Sequence, residues 1–114
     1  MADCLFCRIV KRQIPAVVVH ETETTLAFRD INPKAPVHVL VIPKEHIDAL
    51  MNLEKRHSSL LGDLHDSIQQ VARMEKVDAT GFRVIVNNGP DAGQAVSHLH
   101  YHVLGQRSLG WPPG

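Results

Sequence analysis

The sequence predicts an α+β fold, a five-stranded and mostly antiparallel sheet with one long and one short helix. Three observations predict it. Apolar and polar residues alternate strictly along His98-Leu99-His100-Tyr101-His102-Val103, the signature of a half-buried strand. Leu60, Leu61, Leu64, Ile68, Val71 and Ala72 recur at helical spacing, which marks one amphipathic helix. The order of elements, helix, hairpin, strand, helix, strand, strand, suits a helix laid on one sheet face. At 114 residues the chain is long enough for one core and little more, so residues 1–114 are expected to form a single domain.

Asp3 is placed to cap a short helix over residues 4–12. Cys4 and Cys7 stand at i and i+3 of that helix and so share a face. Ile14-Pro15 ends it, because the residue before proline avoids the α region. The β-branched run 17–21 and the segment 25–30 read as a hairpin around the polar turn Glu21-Thr22-Glu23-Thr24. Residues 31–36 form a proline-punctuated loop. Val37-His38-Val39-Leu40-Val41-Ile42 is nearly continuous in apolar residues, as a central strand is, and Pro43 stops it. Residues 44–50 are expected to make a short helical turn, and residues 53–76 the main helix. His57 and His65 lie off or at the edge of its apolar stripe and read as surface residues. A turn at 78–81, a strand at 82–87 and a glycine-bearing loop at 88–94 lead into the histidine strand. The tail ending Trp111-Pro112-Pro113-Gly114 is too short and proline-rich for regular structure.

Charge narrows the function classes. Twelve basic residues balance twelve acidic ones, so no broad basic surface for nucleic acid is expected. No run approaches the ~18 apolar residues of a membrane span, and the N-terminus lacks the blocks of a signal peptide. A cytoplasmic chain is the expectation. In a reducing compartment Cys4-x-x-Cys7 reads as metal or redox ligands rather than a disulfide.

The eight histidines are the compositional anomaly. Alternation puts His98, His100 and His102 on one face and turns Leu99, Tyr101 and Val103 into the core. Taken singly, His38 at its strand end reads as solvent-facing. With His100, His102, Asn87 and the Gly93 loop it makes an anion-handling set. A neutral imidazole can attack phosphorus, while a second imidazole and backbone N–H groups stabilise the equatorial oxygens. Cys4 and Cys7 with two histidines would close a zinc site. His46 and His98 are candidates, but spacing does not select them from eight. A His98–His100 metal hydrolase is the other use of a His-x-His strand.

His98-Leu99-His100-Tyr101-His102-Val103-Leu104 matches the pattern of the histidine triad (HIT) superfamily. Phe28-Arg29-Asp30-Ile31-Asn32-Pro33, Ala35-Pro36-Val37-His38, Val41-Ile42-Pro43-Lys44, Asn87-Asn88-Gly89 and Trp111-Pro112-Pro113-Gly114 resemble its Hint branch. The resemblance implies a homodimer whose two sheets join into one. It implies hydrolysis of the P–N bond of purine nucleoside 5′-phosphoramidates through an AMP adduct on His100. His102 would contact the α-phosphate and His38 would complete the network. Phe28, Asp30, Ile31, Asn87, Gly93, Gln94, Ala95 and Trp111 would join His100 and His102 in binding the nucleotide. Asp30 would take the ribose hydroxyls, and Trp111 would reach the partner's site. Structural zinc would be held by Cys4, Cys7, His46 and His98. Two alternatives remain: a diadenosine polyphosphate hydrolase of the same superfamily, and a nucleotide-binding regulatory module. Ala95 departs from the family's common serine, and Gln106 from a common glycine.

Overall fold

The structure is a computed structural model and describes residues 3–114; Met1 and Ala2 lie outside the described residues. Helix α1 spans Leu5–Val10. Strands β1 (Val18–Glu21), β2 (Thr25–Arg29) and β3 (Val37–Pro43) precede helix α2 (Ser58–Met74), and β4 (Phe82–Val86) and β5 (Tyr101–Gly105) follow it. The strands form one sheet in the order β1-β2-β3-β5-β4, with every neighbouring pair antiparallel.

β3 is central and buried along its whole length. Its period of two sorts side chains onto the two faces. Val39 and Val41 join Ala27, Val103, Leu64, Ile68 and Val71 in a core beneath α2. Leu40 and Ile42 join Leu26, Phe28, Phe6 and Ile9 in a second core beneath α1. Pairing registers Phe28 with Leu40 and Leu40 with His102. The row Phe28–Leu40–His102 thus crosses the sheet on the α1 face. One buried polar contact ties α2 to the sheet, the Thr25 and Ser67 hydroxyls at 2.7 Å.

Several local expectations are corrected. Cys4 rather than Asp3 caps α1, its Sγ accepting the Cys7 N–H at 3.4 Å. Residues 46–48 are irregular instead of helical, and the turn forms later as a 3-10 turn at Leu50–Asn52. The cause is Ile47, whose carbonyl accepts the Leu99 N–H at 2.7 Å while its side chain fills the core. α2 begins at Ser58, after a 3-10 turn at Lys55–His57. His57 is buried, because its Nδ1 accepts the Glu54 N–H at 2.9 Å in a reciprocal cap. Leu61 is exposed, beside Phe82 and Val84 of the edge strand β4.

The histidine segment enters the ladder only at Tyr101. Continuing the β3–β5 register would set Leu99 against Pro43, and proline has no N–H to give. His98 and His100 therefore lie outside the ladder. At the far end, Gly105 leaves no room for a side chain, since a Cβ would meet Val77 Cγ1 at 2.6 Å. Gln106 adopts φ +65°, in the left-handed region that favours glycine.

Candidate active site and adjoining Cys/His cluster

The α1 face gathers two groups of titratable side chains. In the first, Lys34 N–H donates to His38 Nδ1 at 3.0 Å. His38 therefore carries its proton on Nε2 and donates it to His102 Nδ1 at 2.9 Å. His102 is left with its proton on Nε2, a buried atom without a partner among the described residues. Asp30 Oδ2 lies 3.4 Å from His38 Nε2, and Asp30 Oδ1 accepts the Asn32 N–H. His38 is thus buried in a network, and the solvent-facing reading of it is corrected.

His100 is fixed separately. Its Nδ1 donates to the His98 carbonyl at 2.7 Å, so a neutral ring keeps a lone pair on Nε2. The His100 and His102 rings stand 5.1 Å apart, and Phe6 meets His100 edge-on at the same distance. A cavity of about 360 Å³ opens beside them, within the range of small-ligand pockets. Phe28, Asp30, Ile31, Ala95, His100 and His102 line it.

The structure does not bring the remaining predicted residues to this cavity. Gly93 N–H closes a 3-10 turn on Pro90. Gln94 braces its own loop, donating to Asp48 and Val96 carbonyls and accepting the Gly89 N–H. Asn87 lies half-buried just past β4. Trp111 is 81 % exposed, with the Arg83 guanidinium 6.0 Å from its ring. Sequence reasoning missed Leu5, Phe6, Ile9, Ile14, Ala16 and Leu40 as lining residues. The apolar face of α1 was visible, but which face of the sheet it covers was not.

The second group joins Cys4, Cys7, His46 and His98, whose candidate ligand atoms all lie within 4.8 Å of one another. Cys4 Sγ is 3.4 Å from His98 Nδ1, and Cys7 Sγ is 3.2 Å from His46 Nδ1 and 3.6 Å from His98 Nδ1. Tetrahedral bonds of ~2.3 Å to sulfur and ~2.0 Å to nitrogen give S···N edges of about 3.5 Å. The donor set fits one such ion. Both outer ring nitrogens are held, His98 Nε2 by the Pro43 carbonyl at 2.8 Å and His46 Nε2 by Asp48 at 2.6 Å. These are the outer contacts that orient metal-binding imidazoles. His98 and His100 turn to different partners and do not converge on one ion.

The HIT domain profile matches residues 11–109. The chain belongs to the HIT domain family. Among relatives of this HIT chain, a 14 kDa zinc-binding protein of Zea mays is 46 % identical over 96 % of this chain and 87 % of its own length. A protein of Arabidopsis thaliana named adenylylsulfatase HINT1 is 44 % identical over 96 % of this chain and 76 % of its own. The crystal structure of a HIT family hydrolase from Legionella pneumophila superposes with a TM-score of 0.96 at 43 % identity, covering 98 % of this chain and all of that one. Among the described residues, no helix is long and apolar enough to cross a membrane.

Burial, followed by the neighbouring His100 and His38, pushes the His102 pKa down from 6.5 to about 4. Burial also lowers that of His38, against the opposing pull of Asp30. The folded chain therefore binds fewer protons here than the unfolded chain. The stability gained is complete above the unfolded value of about 6.5 and is lost as pH falls toward 4. Denaturation at about pH 7.5 and about pH 4.5 is expected to show a larger acid loss for the wild type than for His102→Asn. Equal losses would mean the pair carries no such linkage.

Proposed function

We propose that this HIT protein is a nucleotidyl hydrolase that cleaves purine nucleoside 5′-phosphoramidates and related AMP derivatives at the α-phosphorus. The carrying observation is the pairing of proton positions: His100 Nε2 bears a lone pair, and beside it His102 Nε2 bears an unpartnered proton. One is a nucleophile. The other is a fixed donor for developing charge on a phosphoryl oxygen. The Legionella hydrolase and the Arabidopsis adenylylsulfatase support this reading of the site.

The base would enter the cavity that Phe28 lines, with Asp30 at the ribose and Ile31 at the rim. His100 Nε2 attacks phosphorus, the bond to the leaving group breaks with its electron pair, an amine leaving group takes a proton from solvent, and AMP remains on His100. Its Nδ1–H, bonded to the His98 carbonyl, steadies the positive ring. Water then displaces His100 and AMP leaves. The network from Lys34 through His38 holds His102 in the donor tautomer throughout. Asn87, Gly93, Gln94 and Trp111 would contribute only by movement or from a partner chain.

Intact-protein mass spectrometry during turnover of adenosine 5′-phosphoramidate is expected to show an AMP-sized adduct on wild type and none on His100→Ala. Faster cleavage of diadenosine tetraphosphate would favour the polyphosphate hydrolase. Binding without adduct or turnover would favour the regulatory module.

Zinc is proposed as the ion of the Cys4, Cys7, His46 and His98 cluster, one per chain. The zinc-binding relative in maize supports it. Bound there, it supplies structural cross-linking of α1 to the sheet. Chelation is expected to lower the melting temperature of the protein by several degrees, while folded protein at saturating substrate continues to turn over. Immediate loss of turnover from protein still folded would put the ion in the chemical step.

A homodimer is proposed through β4. This edge strand exposes Phe82 and Val84, with Leu61 beside them, and an apolar exposed edge invites pairing. Sedimentation is expected to read a dimer for wild type and a monomer for Val84→Asp. A monomeric wild type overturns the reading.

A further inference from the structure

Cys4 and Cys7 are the two cysteines of the chain, and both are free thiols. Cys4 has extended backbone ahead of α1, Cys7 lies within the helix, and the Cys7 N–H donates to Cys4 Sγ at 3.4 Å. Cys-x-x-Cys pairs can close on themselves as disulfides, and these two sulfurs already lie within 4.8 Å of each other. Cys4 also lines an open cleft of about 730 Å³ beside His46, Asp48 and Ser97, so a small oxidant reaches it from solvent.

Two contacts carry the state of these thiols to the ligand cavity. Phe6, between them in sequence, lines that cavity and meets His100 edge-on at 5.1 Å. His98 approaches Cys4 Sγ to 3.4 Å through Nδ1 and holds the His100 ring through its carbonyl at 2.7 Å.

We propose that Cys4 and Cys7 are a reversible site of oxidation by peroxide, and that closing their disulfide releases the ion of the cluster and weakens nucleotide binding. The inference rests on the zinc and nucleotide readings above. The Cys4 thiolate attacks one peroxide oxygen, the O–O bond breaks, and the departing hydroxide takes a proton from solvent to become water. The Cys7 thiolate then attacks the sulfur of the Cys4 sulfenic acid, the S–O bond breaks, and a second hydroxide leaves as water in the same way. The two sulfurs lose two electrons and the peroxide gains them. His46 and His98 remain, two donors where a closed zinc site takes four. Helix α1 keeps its apolar packing but loses its tie to the sheet, and so short a helix has little stability of its own.

The test treats zinc-loaded protein with stoichiometric hydrogen peroxide. It reads intact mass, zinc released to a colorimetric chelator, and the Kd for AMP by calorimetry. The expected result is a loss of about 2 Da, one disulfide, with release of the bound zinc. The Kd for AMP is expected to rise at least about threefold, as when the competent form falls to about a third. Dithiothreitol with added zinc is expected to restore both. Cys7→Ser is expected to stop at a Cys4 sulfenic acid that dimedone traps. Zinc retained beside a formed disulfide overturns the proposal. So does an unchanged AMP affinity after release, or oxidation to sulfinic acids without a disulfide. These wild-type outcomes decide even if Cys7→Ser misfolds. Zinc content and AMP binding are read before treatment, and absence of either overturns the reading it belongs to and the proposal with it.

Discussion

The antiparallel pairing of β3 with β5 is the constraint on which the site depends. It sets His38 against Leu104 and Leu40 against His102, which brings two imidazoles from distant parts of the chain into one hydrogen bond. A slip of β5 by one residue would turn His102 toward α2 and Val103 toward the cavity. The register is protected from both sides, because Val39, Val41 and Val103 are buried beneath α2 while Leu40 and Ile42 are buried beneath α1. Two desolvated imidazoles are costly unless hydrogen-bonded, and this pairing supplies the bond.

The Cys/His cluster and the cavity share one short helix. Cys4 and Cys7 flank Phe6 in sequence, and Phe6 meets both His98 and His100 edge-on. Six residues of helix cannot hold themselves in water, so α1 depends on what it touches. The cluster holds one of its faces, and Phe6 and Ile9 pack the other on the sheet. The same helix therefore serves as a wall of the ligand cavity and as a ligand carrier. Neither role is separable from the other by a substitution within Cys4–Ile9.

Much of the fold was legible, because it rested on periodicity. The amphipathic stripe located the long helix, and alternation located the strands. The face shared by His98, His100 and His102 was legible too, although only His102 lies in the ladder. What stayed hidden depended on contacts far apart in sequence. His57 read as a surface residue because its pairing with the Glu54 backbone leaves no periodic trace. Ile47 bends its segment away from helix to meet Leu99, a contact across half the chain. In the site, residue types and spacing named the imidazoles and thiols. They did not name the apolar wall that α1 provides, or the occupied N–H of Gly93.

Because the sheet's period of two assigns chemistry to the α1 face and bulk burial to the α2 face, mutational tolerance should differ between its layers. Residues beneath α2 answer to volume and shape. Those beneath α1 answer in addition to proton positions and ligand fit. A library confined to Leu5, Ile9, Ala16 and Ala95 would reshape the cavity while leaving the larger core intact. The fold thereby keeps its evolvable surface apart from the layer that guarantees its integrity.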